Sequence, residues 1–168
     1  MKRYRFVADV HLFYVAKYLR ALGYDTLYFY NIEDSKLLDL VYKEERVLLT
    51  RDKELFLTSE RGCYLVKATD KIEQLREIVQ RFSLGCANLF SRCIKDNEPL
   101  TSVDKEEILD RLPPAVAKTF KEFKRCPSCG RVYWQGTHFE RMREFLLSIC
   151  RRRYFYKFYP DRSSLVLR

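Results

Sequence analysis

Asp9, Asp34, Asp52 and Asp70 stand where strand-like apolar runs give way to segments with helical spacing. Asp9, Asp52 and Asp70 follow their runs directly, while Asp34 opens a helical segment after a short loop. If the runs are parallel strands, all four aspartates fall on one sheet edge, where side chains distant in sequence converge. Converging carboxylates repel one another unless a cation neutralises them, and oxygen ligands of this kind suit Mg²⁺ or Mn²⁺. Such a set can position and activate water for phosphodiester hydrolysis while the ion neutralises the transition-state charge. Taken singly, each aspartate is explained as a helix N-cap, and Asp70-Lys-Ile-Glu73 fits a capping box. Capping and metal binding are compatible, and four aspartates on one edge favour a site.

Cys126-Pro-Ser-Cys129-Gly130 is a second constellation. Two residues between thiolates let both reach one tetrahedral ion, and Gly130 eases the tight knuckle, so the motif reads as half of a zinc site. The chain opens Met1-Lys-Arg-Tyr-Arg directly into a strand-like run, which has no signal-peptide shape, and its apolar runs are too short to span a bilayer. The expectation is therefore a cytoplasmic protein whose six cysteines are thiols or metal ligands rather than disulfides. Cys63 and Cys150 read as buried small apolar residues.

The elements that must position these groups alternate. Phe6-Val7-Ala8, Thr26–Tyr30, Val47–Thr50 and Tyr64-Leu65-Val66 read as strands. Leu12, Val15, Ala16, Leu19 and Leu22 share one helical face that Gly23 closes. Leu37, Leu38, Leu40 and Val41 mark a second helix, and Ile72, Leu75, Ile78 and Val79 a further one. Alternating strands and helices predict an α/β domain over residues 1–84, with a mostly parallel sheet sandwiched by helices. The texture changes over 85–150, where short helices at 104–111 and 115–123 separate cysteine clusters. Val132-Tyr133-Trp134 followed by Gln135-Gly136 suggests a hairpin, and a helix runs from about His138 to Cys150.

A net charge of +9 makes a polyanion the natural partner. Up to Arg81 there are 15 Lys and Arg against 13 Asp and Glu, whereas from Lys118 onward there are 13 against 4, so the surplus is C-terminal. The tail over 151–168 interleaves Arg151, Arg152, Arg153 and Lys157 with five aromatics. Cations there can hold phosphate while rings stack on unpaired bases; alternatively the rings pack back onto the body. Arg20, Arg51 and Lys53 fall near the acidic edge and could carry substrate phosphate.

Asp9-Val-His-Leu12, Ala16–Thr26 and Arg46-Val-Leu-Leu-Thr-Arg-Asp52 resemble the PIN-like ribonuclease domain called the Mut-seven C-terminal family. Val103–Pro113 and Cys126–Trp134 resemble its C-terminal part, so the likeness spans about residues 5–147. It implies a PIN fold, Mg²⁺- or Mn²⁺-dependent RNA cleavage, and a zinc ribbon behind the nuclease domain. Asp9, Asp34 and Asp52 occupy the family's acidic positions, with Asp70 a weaker match. The family carries a second Cys-x-x-Cys where this chain has Cys93-Ile-Lys-Asp96. The resemblance thus implies a zinc set of Cys93, Asp96, Cys126 and Cys129, with Cys86 or His138 as substitutes and a metal-free packed remnant as the alternative. The resulting expectation is an endoribonuclease acting on tRNA, rRNA or mRNA. Its rivals are a non-catalytic RNA- or ribosome-binding protein on the same fold, and a protein-interaction module.

Overall fold

A computed structural model describes residues 4–59 and 61–151, the last by its backbone alone. Four short apolar runs become parallel strands: β1 (Phe6–Ala8), β2 (Thr26–Tyr28), β3 (Val47–Thr50) and β4 (Cys63–Leu65), in the order β2-β1-β3-β4. Strands covered on both faces read as unbroken apolar runs, and β1 and β3 are buried along their whole length. Side chains alternate across the pleat. Phe6, Ala8, Val47 and Leu49 join one core with Leu12, Val15, Leu19, Leu75 and Ile78, which belong to α1 (Phe13–Ala21), the 3-10 turn before it, and α4 (Lys71–Arg81). Val7, Leu48 and Cys63 face the other core, under α2 (Asp34–Glu44) and α3 (Lys53–Thr58). The sheet sandwiched by helices is the α/β arrangement that the sequence predicts, and it is consistent with the PIN-like fold that the resemblance implies. Helix α3 is an addition, since six residues are too few to show apolar periodicity.

Beyond α4 an antiparallel sheet forms from β5 (Thr101–Val103), β6 (Phe123–Arg125) and β7 (Val132–Tyr133). A 3-10 turn at Lys105–Arg111 and α5 (Pro114–Thr119) lie between β5 and β6. Ile108, Leu112 and Phe123 form its small core with Val116, Phe120, Val132 and Trp134. The helix expected at 115–123 stops at Thr119, because Phe120 turns extended and Phe123 is drawn into β6. The hairpin turn lies at Cys126–Gly130 instead of Gln135-Gly136. There Gly130 adopts φ +68°, and its N–H reaches the Cys126 carbonyl at 2.9 Å. The last helix, α6 (Thr137–Arg151), buries Leu146 and Ile149 in the α1/α4 core.

Two sequence expectations are corrected here. Cys86 and Cys150 are joined by a disulfide, with their Cα atoms 6.3 Å apart. Cys150 is therefore no isolated apolar filler and Cys86 no spare metal ligand; the docking of α6 brings together two sulfurs 64 residues apart in sequence. Arg20 does not serve the acidic edge. It is buried at the opposite, amino-terminal edge of the parallel sheet, where it donates to the carbonyls of Thr26 (2.8 Å), Ile94 (3.0 Å) and Lys95 (2.6 Å). A helix C-terminus in this fold lies beside the strand starts, and Arg20 is the penultimate residue of α1. Gly23 closes that turn at φ +92°, where a Cβ would lie 2.2 Å from the Asn88 carbonyl oxygen. Among the described residues no helix is long and apolar enough to cross a membrane.

Candidate active edge and metal centre

The four aspartates all lie beyond the carboxyl ends of the parallel strands. Asp9 leaves the central strand β1 and is only 3% exposed. Its Oδ1 accepts the His11 backbone N–H at 2.8 Å, and its Oδ2 accepts the Arg51 N–H at 3.1 Å and the Thr50 hydroxyl. The imidazole Nδ1 of His11 lies 3.4 Å from Oδ1. Thr50 ends β3, next to β1, and its hydroxyl oxygen accepts the Asp52 N–H at 2.9 Å. Thr50 thus ties Asp9 to Asp52. Asp52 also caps α3, its Oδ1 accepting from Glu54 N (2.7 Å) and Leu55 N (3.2 Å). Asp34, the first residue of α2, is exposed beyond the edge strand β2. Asp70 lies beyond the other edge strand, β4, and caps α4. The N–H groups of Glu73 and Ile72 hold its carboxyl below the usual range. Asp34 and Asp70 therefore flank Asp9 and Asp52 along one edge rather than closing on them.

Among the described residues, one group brings three or more acidic, Cys or His ligand atoms within 4.8 Å of one another: Cys93, Asp96, Cys126 and Cys129. Cys93 Sγ lies 3.8 Å from Cys129 Sγ, and Cys126 Sγ lies 3.6 Å from an Asp96 carboxylate oxygen. A tetrahedron with zinc–sulfur bonds of about 2.3 Å has edges of about 3.8 Å, so the spacing matches the donor set. Cys93 accepts the Asp96 N–H at 3.4 Å and lies 3.1 Å from the Tyr133 hydroxyl. Burial raises the Cys93 thiol, but these hydrogen bonds more than offset it and leave it lowered. The Asp96 carboxylate pushes the Cys129 thiol up to about 12, with burial adding to the effect. His138 is exposed on α6 and stands outside the group. Cys63 is fully buried in β4, where burial pushes its thiol up to about 11.

A family model described as the Mut7-C RNAse domain matches residues 4–146. The chain belongs to the Mut7-C RNAse domain family. The match takes in both the aspartate edge and the cysteine group, and the family's description points to ribonuclease-type chemistry on RNA. Comparison with curated proteins gave no significant match, and neither did comparison with solved structures.

In this Mut7-C domain, Thr50 and His11 are the edge residues that the sequence left unassigned. Each stood within two residues of an aspartate already singled out, and only the β1/β3 register reveals the Thr50 bridge. Arg51 and Lys53 are exposed at the edge, Arg51 through its side chain while its N–H serves Asp9. The side chain of Arg151, and Arg152, Arg153 and Lys157, lie outside the described residues.

Proposed function

We propose that this Mut7-C domain is a metal-dependent endoribonuclease that hydrolyses RNA phosphodiester bonds at its aspartate edge. The observation that carries the reading is Asp9, a carboxylate buried at the end of the central strand and fixed by three hydrogen-bond donors. Its ion-pair partner among the described residues is His11. A buried carboxylate without a guanidinium or ammonium beside it favours a cation. The donors here are hard oxygens on separate elements, which suits Mg²⁺ or Mn²⁺ held by one or two carboxylates through retained waters. Such an ion supplies charge neutralisation and a water of lowered pKa. Asp9 and Asp52 would anchor it, with Asp34 and Asp70 completing the acidic rim. Thr50 holds the anchors in register. Arg51 and Lys53, with the tail residues Arg151, Arg152, Arg153 and Lys157, would bind RNA phosphates.

The Cys93, Asp96, Cys126 and Cys129 group fits zinc by spacing and donor chemistry, in a structural role. It adjoins the Ile94 and Lys95 carbonyls that Arg20 holds at the sheet's amino-terminal edge, away from the aspartates.

Incubating the protein with total cellular RNA and Mn²⁺, beside Asp9→Asn, tests the reading. Cleavage should fall by about a hundredfold or more in the variant, since charge stabilisation at the reacting group is lost. The melting temperature should stay within a few degrees. Equal cleavage by both proteins would overturn the reading. Tight, salt-sensitive RNA binding without cleavage would make the protein an RNA-binding domain instead.

A further inference from the structure

Along the rim that carries Asp9, three rings run side by side from the end of β2 toward the start of α4. The Tyr28 and Phe13 ring centroids are 5.2 Å apart, and those of Phe13 and Tyr14 are 5.4 Å apart. The apolar face of α1 is occupied by Val15, Ala16 and Leu19, so Phe13 and Tyr14 point away from the core and remain 43% and 44% exposed. Two lysines lie over the strip: the Lys71 ammonium is 3.9 Å from the Tyr14 ring centre, and that of Lys17 is 5.4 Å from Phe13. The planes are inclined at 58° and 71°, so neighbouring rings meet in tilted and edge-to-face contacts rather than in parallel stacks. The Tyr28 hydroxyl donates to the carbonyl of Val10, the residue after Asp9, which fixes the strip to the acidic rim.

Resting on the ribonuclease reading, we infer that Tyr28, Phe13 and Tyr14 form a base-stacking subsite that seats unpaired nucleotides beside Asp9. Solvent-accessible rings accompanied by cations are the two components of sequence-tolerant single-strand binding: stacking on any base and attraction to the backbone. Paired bases have their faces stacked internally, so a duplex gains little from the strip. Lys17 and Lys71 supply the charge complementarity that an aromatic patch built for a protein partner would not need. The subsite selects the strand that enters the edge, and Asp9 and Asp52 act on it.

The test compares a fluorescein-labelled oligouridylate of about ten nucleotides with a labelled RNA duplex, with Ca²⁺ replacing Mg²⁺ to suppress cleavage. Fluorescence anisotropy is read for the full chain and for Phe13→Leu/Tyr14→Leu, which keeps apolar bulk but removes the stacking faces. Single-strand affinity should fall by tenfold or more, with duplex affinity unchanged and the melting temperature within a few degrees. Phe13→Tyr/Tyr14→Phe, which retains both rings, should bind like the parent. Should the double leucine variant misfold, Tyr14→Leu alone serves, with a severalfold loss expected. Unchanged single-strand affinity in the leucine variants, with RNA cleavage intact in the parent, overturns the subsite and leaves the ribonuclease reading standing. A parent protein that neither binds nor cleaves RNA overturns both.

Discussion

A side chain's type was legible wherever its chemistry is local, and its partners were legible only where they are close in sequence. The caps made by Asp52 and Asp70 bind N–H groups two and three residues ahead, so the sequence alone suffices to place them. The Thr50–Asp9 hydrogen bond joins residues 41 apart and depends on β1 pairing with β3, which no local pattern encodes. Asp96 lies between these cases. Its place is set by a short knuckle, and its carboxylate faces Cys126 across 30 residues. Thiolates suit zinc better than a single carboxylate oxygen does, so the three-sulfur set should bind more weakly than four sulfurs would. Asp96→Cys is expected to tighten zinc binding by about tenfold or more, and Asp96→Ala to weaken it similarly. Competition against a chromophoric chelator measures both. Identical affinities in all three proteins would mean that Asp96 is not a ligand.

Among the elements, the long helices announced themselves through repeated apolar spacing, whereas α3 and the β6–β7 hairpin did not. Helix α3 has a single buried residue, Leu55, and β7 is two residues long. Elements this short are defined by what they pack against or pair with, and that information is not local. The disulfide was missed for the same reason: Cys86 and Cys150 meet only because α6 lies across the α1/α4 core. By the loop-closure account, a crosslink spanning 64 residues stabilises the fold by about 4 kcal/mol. In a chain this size, reducing it should lower the melting temperature by on the order of 10 °C. Scanning calorimetry with and without a thiol reductant measures this. Cys150→Ser should melt at the reduced value and show no further response to reductant. A melting temperature indifferent to reductant in the parent would show that the bond does not brace α6.

At the scale of the whole molecule, the aspartates and the joint between the two halves occupy opposite ends of one sheet. The aspartates line the carboxyl edge, and the cysteine half is fastened at the amino edge by Arg20, Asp25, Arg46 and Asn97. Neither the sequence's charge pattern nor its periodicity reveals this fastening, because its bonds are long-range: Asn97 Oδ1 accepts the Thr26 N–H at 2.8 Å across 71 residues. Asp25 is the hub. It accepts from Arg46 Nη1 at 2.7 Å and Asn97 Nδ2 at 2.8 Å, with Arg5 at 3.5 Å and Arg92 at 3.9 Å. Burial raises the Asp25 carboxyl, but the hydrogen bonds from Arg46 and Asn97 and the nearby guanidinium charges outweigh it and leave it lowered. A carboxyl whose folded value is depressed contributes stability above its unfolded value, about 3.9, and loses that contribution as pH falls through the folded value. Asp25→Asn should therefore lower stability at pH 7 by about 1–3 kcal/mol, because a buried Arg46 loses one of its two charged acceptors and keeps only Glu44, 2.8 Å from its Nε. The gap between parent and variant should stay constant down to about pH 5 and close below about pH 4, where the protonated parent comes to resemble the amide. Urea unfolding of both proteins between pH 7 and about pH 3 measures the gap. If it is absent at neutral pH, or as large at pH 3 as at pH 7, the Asp25 cluster is not what joins the two halves.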